Sequence, residues 1–253
     1  MDHGTDEFEA WRTSFAGAVP ATDYQAYRPD YPAEAVNWLL GEPGGPLEVL
    51  DLGAGTGKLT GTLVELGHRV VAVDPSPPML DELRARLPGV DARTGTGEQL
   101  PLADAVVDAV VDAVVVGQAW HWMDHEAAGA EIARVLRPGG RLGVVWNTRD
   151  DSVEWVGELY AVAGEPVRER GDGDLPSVPG PFGPVEKHTF DNPHRLASAD
   201  EVGALVGTWS WVRTGADPVA VMAAARDVAA RRADSDGSVR IPQVSECFRL
   251  RRS

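Results

Sequence analysis

Chemistry in this chain is concentrated around Gly53-Ala54-Gly55-Thr56-Gly57. This glycine turn has Asp51 just before it and Asp74 at the end of the next apolar run. Glycines at alternate positions remove the Cβ atoms that hold a ligand away from the backbone, and they tolerate positive φ. Something flat or extended is expected to lie against the turn. A carboxylate in the position of Asp74 can accept two hydrogen bonds from the cis hydroxyls of a ribose. Asp51 would repel a pyrophosphate and attract ammonium and sulfonium groups. A dinucleotide fingerprint needs the order G-x-G-x-x-G, and its third glycine is here Lys58. A P-loop needs a longer gap before its Gly-Lys pair, so Gly57-Lys58 does not form one.

A second set of residues offers weaker signals. His121, between Trp120 and Trp122, is the candidate general base, with a structurally bonded histidine as the competing expectation. Tyr24, Tyr27 and Arg28 form a candidate lid, with ring faces for a cation and a guanidinium for a carboxylate; aromatic packing of an N-terminal arm is the alternative. Trp146, Asn147 and Arg149 fall at a strand end. Arg149 suits an anionic ligand or an ion pair with Asp150 or Asp151. His188 and His194 lack companions of ligating type, so no metal site is expected. The single cysteine, Cys247, excludes an internal disulfide and a cysteine-based metal cluster.

The elements that must position these groups alternate in type. A buried strand over Leu47–Leu52 runs into the turn, and Lys58–Leu66 forms a helix stopped by Gly67. A strand over His68–Val73, a helix over Pro78–Leu87 and a short strand over Val90–Thr94 follow. Val106–Val116 contains the fourth strand, Ala127–Leu136 a helix and Arg141–Trp146 the fifth strand. This rhythm predicts an α/β, doubly wound, Rossmann-like sheet of seven mostly parallel strands with helices on both faces. Beyond Asp150 the pattern predicts helices over Val153–Val162, Ala199–Val206 and Val219–Arg232. Strands are expected over Val185–Phe190 and Ser238–Leu250, the last of them antiparallel. At the N-terminus a short helix is expected around Phe8–Phe15 and another over Ala33–Leu40. Tyr24–Pro32 reads as too stiff for a helix. The whole chain, 1–253, is expected to form a single domain. Its ligand-binding core covers about 33–150, with cover segments at about 1–32 and 191–237. Asp-Ala-Val-Val repeats at Asp104, Asp108 and Asp112, and one copy is expected to lengthen the loop before strand four.

Composition narrows the partners. The chain has 23 basic and 39 acidic residues, a formal charge of −16, which disfavours nucleic acid and anionic membranes. Its N-terminus has no basic and apolar leader pattern, and no run of 18 apolar residues occurs, so a cytoplasmic location is expected.

Taken together, Val49–Thr60, Asp74-Pro75-Ser76, Gly95–Pro101, Gln118–Trp122, Leu136–Gly140 and Trp146–Asp150 resemble the class I S-adenosylmethionine-dependent methyltransferases. Within these the chain is most similar to the small-molecule branch that includes trans-aconitate methyltransferase, with a methyltransferase type 11 domain. The resemblance implies that the turn (Asp51, Gly53, Ala54, Gly55, Thr56) holds the methionine portion of S-adenosyl-L-methionine. It places Asp74 and Pro75 at the ribose, Met79, Thr96, Gly97 and Glu98 at the adenine, and Gln118 under the methionine moiety. Arg28 would pair with the methionine carboxylate, and Tyr24 and His121 would serve the reaction. The implied reaction is methyl transfer to a small-molecule acceptor, a carboxylate or hydroxyl favoured, with S-adenosyl-L-homocysteine as product. Such in-line displacement mainly requires alignment, and a base only where the acceptor must lose a proton. A non-catalytic protein binding the same cofactor and a NAD-dependent oxidoreductase are the competing readings, the latter disfavoured by Lys58.

Overall fold

A computed structural model describes residues 20–102, 111–150, 152–164 and 177–253. The helix expected near Phe8–Phe15 and residues 104–110 of the Asp-Ala-Val-Val repeat lie outside the described residues. These residues fall into two compact units. A sheet unit comprises Asp30–Thr148, 177–192 and Val244–Ser253, and a helical unit comprises 20–29, 149–164 and 193–243.

The sheet unit contains helices α2 (Ala33–Leu40), α3 (Lys58–Glu65), α4 (Pro77–Arg86) and α5 (His125–Val135). Around them run strands β1 (Glu48–Leu52), β2 (Arg69–Asp74), β3 (Asp91–Thr94), β4 (Val111–Gly117), β5 (Leu136–Arg149), β6 (Glu186–Asp191) and β9 (Gln243–Arg251). The sheet order is β3-β2-β1-β4-β5-β9-β6. Pairs β1/β2, β1/β4, β2/β3 and β4/β5 are parallel, and β6/β9 is antiparallel. This is the expected Rossmann-like sheet with its last strand reversed. Alternation along each strand explains why both faces are covered. Leu50, Leu52, Val114, Val116, Leu142 and Val144 enter one core, while Val49, Ala113, Val115 and Val145 enter another with α2 and α3. Burial of each such valine or leucine contributes about 1.5–3 kcal/mol. Strand order reverses at β1 and β4, and in open α/β sheets ligands bind outside the carboxyl ends of the strands at this switch.

The last strands differ from expectation. The segment expected as one strand over Ser238–Leu250 is two, β8 (Val239–Ile241) and β9, interrupted at Pro242. Proline has no N–H for the ladder, and here its carbonyl accepts from Asp150 N–H at 3.2 Å. β8 instead pairs antiparallel with β7 (His194–Leu196), a strand the sequence pattern did not reveal. The remaining helical-unit elements are α1 (Ala21–Tyr27), α6 (Glu154–Val162), α7 (Ala199–Gly207), α8 (Ser210–Arg213) and α9 (Pro218–Ala230). Helix α1 corrects the expectation of a stiff segment from Tyr24. Pro20 sits at its N-cap, where no N–H is needed, and the helix stops at Arg28, before Pro29.

Among the described residues the chain passes from one unit to the other beside Asp30, Thr148, Asn192 and Val244. Next to them, within the sheet unit, lies a hydrogen-bonded cluster. The Asp30 carbonyl accepts from Asn147 Nδ2 (3.3 Å) and Asn192 Nδ2 (2.9 Å), while Asn147 Oδ1 accepts from Asn192 Nδ2 (3.0 Å) and Ser245 Oγ (2.6 Å). No helix among the described residues is long and apolar enough to cross a membrane.

Candidate functional site

Strand β1 delivers Asp51 to its carboxyl end fully buried, on the face covered by α3. Thr60 Oγ1 donates to Asp51 Oδ2 at 2.5 Å, and Oδ1 has no partner. Burial pushes the Asp51 carboxyl up to about 7. The Thr60 hydroxyl pulls it back in part, and the charge of Asp74 raises it further. Asp74, at the end of neighbouring β2, accepts from Gly55 N–H (Oδ2, 2.8 Å) and Ser76 N–H (Oδ1, 2.8 Å). Burial raises its carboxyl too, against these two N–H donors. The carboxylates thus flank the glycine turn, and the carboxylate of β2 holds the turn's backbone directly.

Two glycines in the turn do different work. Gly53 has φ +74°, and a Cβ there would collide with the Ala119 side chain. Gly55 has φ +55° with open space where its Cβ would be. Gly53→Ala is therefore expected to destabilise the fold by about 1–3 kcal/mol. Gly55→Ala should cost about 1 kcal/mol of backbone strain and instead weaken ligand binding, by filling the approach to the backbone. Chemical denaturation alongside cofactor titration checks this contrast; equal stability losses without a difference in affinity would refute it.

The rest of the sheet-unit set gathers at the same edge. Gln118, just past β4, has φ +58°, rare outside glycine. It is held there by Gln118 N–H to the Val145 carbonyl (2.9 Å) and by Nε2 to the Asn147 carbonyl (2.9 Å). Gly97 lies against Met123, whose Sδ would be 2.7 Å from an added Cβ. Glu98 accepts from Asp124 N–H at 3.0 Å, at the start of α5, and Thr96 bridges to Gln99. Met79 is buried in the first turn of α4, and Thr56 is buried with its carbonyl accepting from Arg86. Lys58, where a dinucleotide site would have glycine, pairs with Asp30 at 3.1 Å.

His121 sits in a 3-10 turn over Trp120–Trp122, immediately after β4. Its Nδ1 accepts the Trp146 indole N–H at 3.4 Å, and its ring lies 4.5 Å from that of Trp122. Trp120 is core, stacked on His125 at 4.9 Å. Tyr24 and Arg28 belong to the helical unit. There Arg28 donates to Thr208 Oγ1 and to the Thr208 carbonyl, each at 2.9 Å, and lies over the Tyr24 ring. Arg149 lies over Tyr160, which stacks on Trp209. No group of three or more His, Cys, Asp or Glu among the described residues is arranged to hold a metal ion.

Sequence reasoning missed Thr60, which fixes Asp51, and Asn192 and Ser245, which fix Asn147. A threonine one helical turn beyond Thr56 gave the first signal; the other two are brought in by pairing across β6 and β9 and had none.

A parallel sheet with its switch point at a glycine turn flanked by two buried carboxylates can take a ligand with cationic groups against its backbone. The methyltransferase domain family matches residues 50–144. An uncharacterized methyltransferase of Mycobacterium tuberculosis is 52% identical over 181 residues, spanning 70% of this chain and 69% of that protein. A solved structure described as a type II methyltransferase from Anaeromyxobacter dehalogenans superimposes with a TM-score of 0.62 at 30% identity, covering 89% of this chain and 97% of the other. A malonyl-[acyl-carrier protein] O-methyltransferase of Methylococcus capsulatus is 42% identical over 109 residues, 41% of this chain and 38% of that one. The chain belongs to the class I S-adenosylmethionine-dependent methyltransferases.

Proposed function

We propose that the chain transfers a methyl group from S-adenosyl-L-methionine to a small-molecule acceptor, with a carboxylate or hydroxyl group favoured. The observation that carries the cofactor reading is the unpartnered Asp51 Oδ1 beside the glycine turn, fully buried and next to the carboxylate of Asp74. Two buried like charges are costly together, and a cationic ligand offsets that cost. When bound, the cofactor supplies a methyl group already activated on a sulfonium. Asp51 and the turn (Gly53, Ala54, Gly55, Thr56) hold the methionine end, Asp74 and Pro75 the ribose, and Met79, Thr96, Gly97 and Glu98 the adenine. Gln118, fixed in its unusual backbone conformation, closes the floor beneath.

His121 is the residue assigned to the acceptor. With Nδ1 accepting from Trp146, the neutral ring keeps its proton on Nε2, which makes it a donor suited to an anionic oxygen. A carboxylate acceptor needs such a donor and no base. The partial likeness to an O-methyltransferase acting on a malonyl group supports an oxygen acceptor. The charge of −16 speaks against nucleic acid as substrate. Tyr24 and Arg28 keep their expected part in the lid on the sequence alone.

The test is a panel of acids, phenols and amines incubated with methyl-labelled cofactor. Methylation of a carboxylic acid or hydroxyl compound is expected. Cofactor binding with no acceptor turned over would favour a regulatory binding protein. On an accepted acid, His121→Ala is expected to lower kcat/KM about 10- to 100-fold, leaving the affinity for S-adenosyl-L-homocysteine unchanged. Undiminished turnover would remove His121 from the site.

A further inference from the structure

Among the described residues, Glu42 and Gln118 are the two other than glycine that take a positive φ. Glu42 lies in an exposed loop, whereas Gln118 lies just past β4 at the ligand edge of the sheet. A backbone held in this sparsely populated region persists only where its surroundings over-determine it. Strand β5 does so at both ends of the residue. The Val145 carbonyl accepts from the Gln118 N–H and the Asn147 carbonyl accepts from its Nε2, each at 2.9 Å. With Nε2 engaged, the amide oxygen is the end left for a ligand, and it is an acceptor, as a cationic group requires. Asn147 is in turn held within the sheet unit by its own side chain. Its Nδ2 donates to the Asp30 carbonyl at 3.3 Å. Its Oδ1 accepts from Ser245 Oγ at 2.6 Å and from Asn192 Nδ2 at 3.0 Å, which uses both lone pairs. Ser245 is fully buried on β9 and Asn192 directly follows β6, so the two strands beyond β5 fix the residue that fixes Gln118.

We propose that Asn147 is a positioning residue for methyl transfer. Its side chain, locked by Asp30, Asn192 and Ser245, holds the end of β5 where it keeps Gln118 in its ligand-binding conformation. The inference rests on the cofactor reading above, which puts Gln118 under the methionine end, and its test separates the two. S-adenosyl-L-homocysteine is titrated by calorimetry into wild type, Gln118→Ala, Asn147→Ala, Ser245→Ala and the two double variants that combine Gln118→Ala with each of the others. Wild type is expected to bind; failure to bind would overturn the cofactor reading and this inference together. Gln118→Ala is expected to bind about 10-fold more weakly, Asn147→Ala about 3- to 10-fold and Ser245→Ala about 2- to 3-fold. In the Gln118→Ala background, either second substitution is expected to add less than about 2-fold, because its effect runs through the side chain already removed. Wild-type affinity in Asn147→Ala, or in Gln118→Ala, would overturn the inference with the cofactor reading intact. So would losses that multiply in full in the double variants, the signature of a residue that only braces the sheet. Should Asn147→Ala fail to fold, the Ser245→Ala pair reads the same coupling, and its absence there would overturn the inference.

Discussion

Asp51→Asn is expected to gain about 2–3 kcal/mol of stability relative to the parent protein between pH 5 and pH 8. Burial comes first among the causes that hold the Asp51 carboxyl near 7 in the folded protein, against an ordinary value of 3.8. Between these two pH values the folded chain keeps a proton that the unfolded chain releases. The stability this confers is fully present below about pH 4 and is lost as pH rises through 7. Asparagine stays neutral throughout and still accepts the Thr60 hydroxyl, so it does not share the loss. Urea denaturation of both proteins across this range measures the difference. Parallel stability curves would show that Asp51 does not titrate in that window. In the same variant, affinity for S-adenosyl-L-methionine at pH 8 is expected to fall, because the ionised carboxylate that destabilises the free protein is the one that favours a cation. A gain in stability coupled to a loss in binding is what a site residue, rather than a structural one, should give.

That Asp51 could be singled out from the sequence reflects how local the governing physics is. An apolar run ending in Asp, followed by alternating glycines and a helix, fixes strand, turn and carboxylate within about ten residues. The same holds for Asp74, set by the end of the next apolar run. The rest of the site was hidden because its partners are distant in sequence. Arg28 finds Thr208, separated by 180 residues. Asn147 depends on Asn192 and Ser245, reached through strands whose order, β5-β9-β6, does not follow the chain. Pro242 was visible, yet a proline in an alternating segment does not reveal which strands lie on either side. The pairing of β7 with β8, three residues each, carries no periodic signal at all. Tyr24–Tyr27 shows the reverse error. Pro29 and Pro32 restrict only the residue before each of them, which leaves Tyr24–Tyr27 able to be helical.

The other large effect is expected at Asp74. Its two oxygens are already committed to Gly55 N–H and Ser76 N–H, so Asp74→Asn must turn its amide toward one of these donors. The clash of donors is expected to cost about 1–3 kcal/mol of stability, the opposite sign to the change in Asp51→Asn between pH 5 and pH 8. Loss of a charged acceptor for two ribose hydroxyls should weaken S-adenosyl-L-homocysteine about 100-fold, read by calorimetry. Unchanged affinity would remove Asp74 from the site and leave it as a brace for the turn. The two carboxylates also push on each other, since the charge of Asp74 is among the causes that raise Asp51. In the Asp74→Asn background the Asp51 carboxyl should titrate lower, and the stability that Asp51→Asn gains between pH 5 and pH 8 should shrink. A double-mutant cycle at pH 5 and pH 8 measures this coupling directly. Coupling that appears only at the higher pH would locate it in charge. Coupling of equal size at both values would locate it in the shared geometry of the glycine turn.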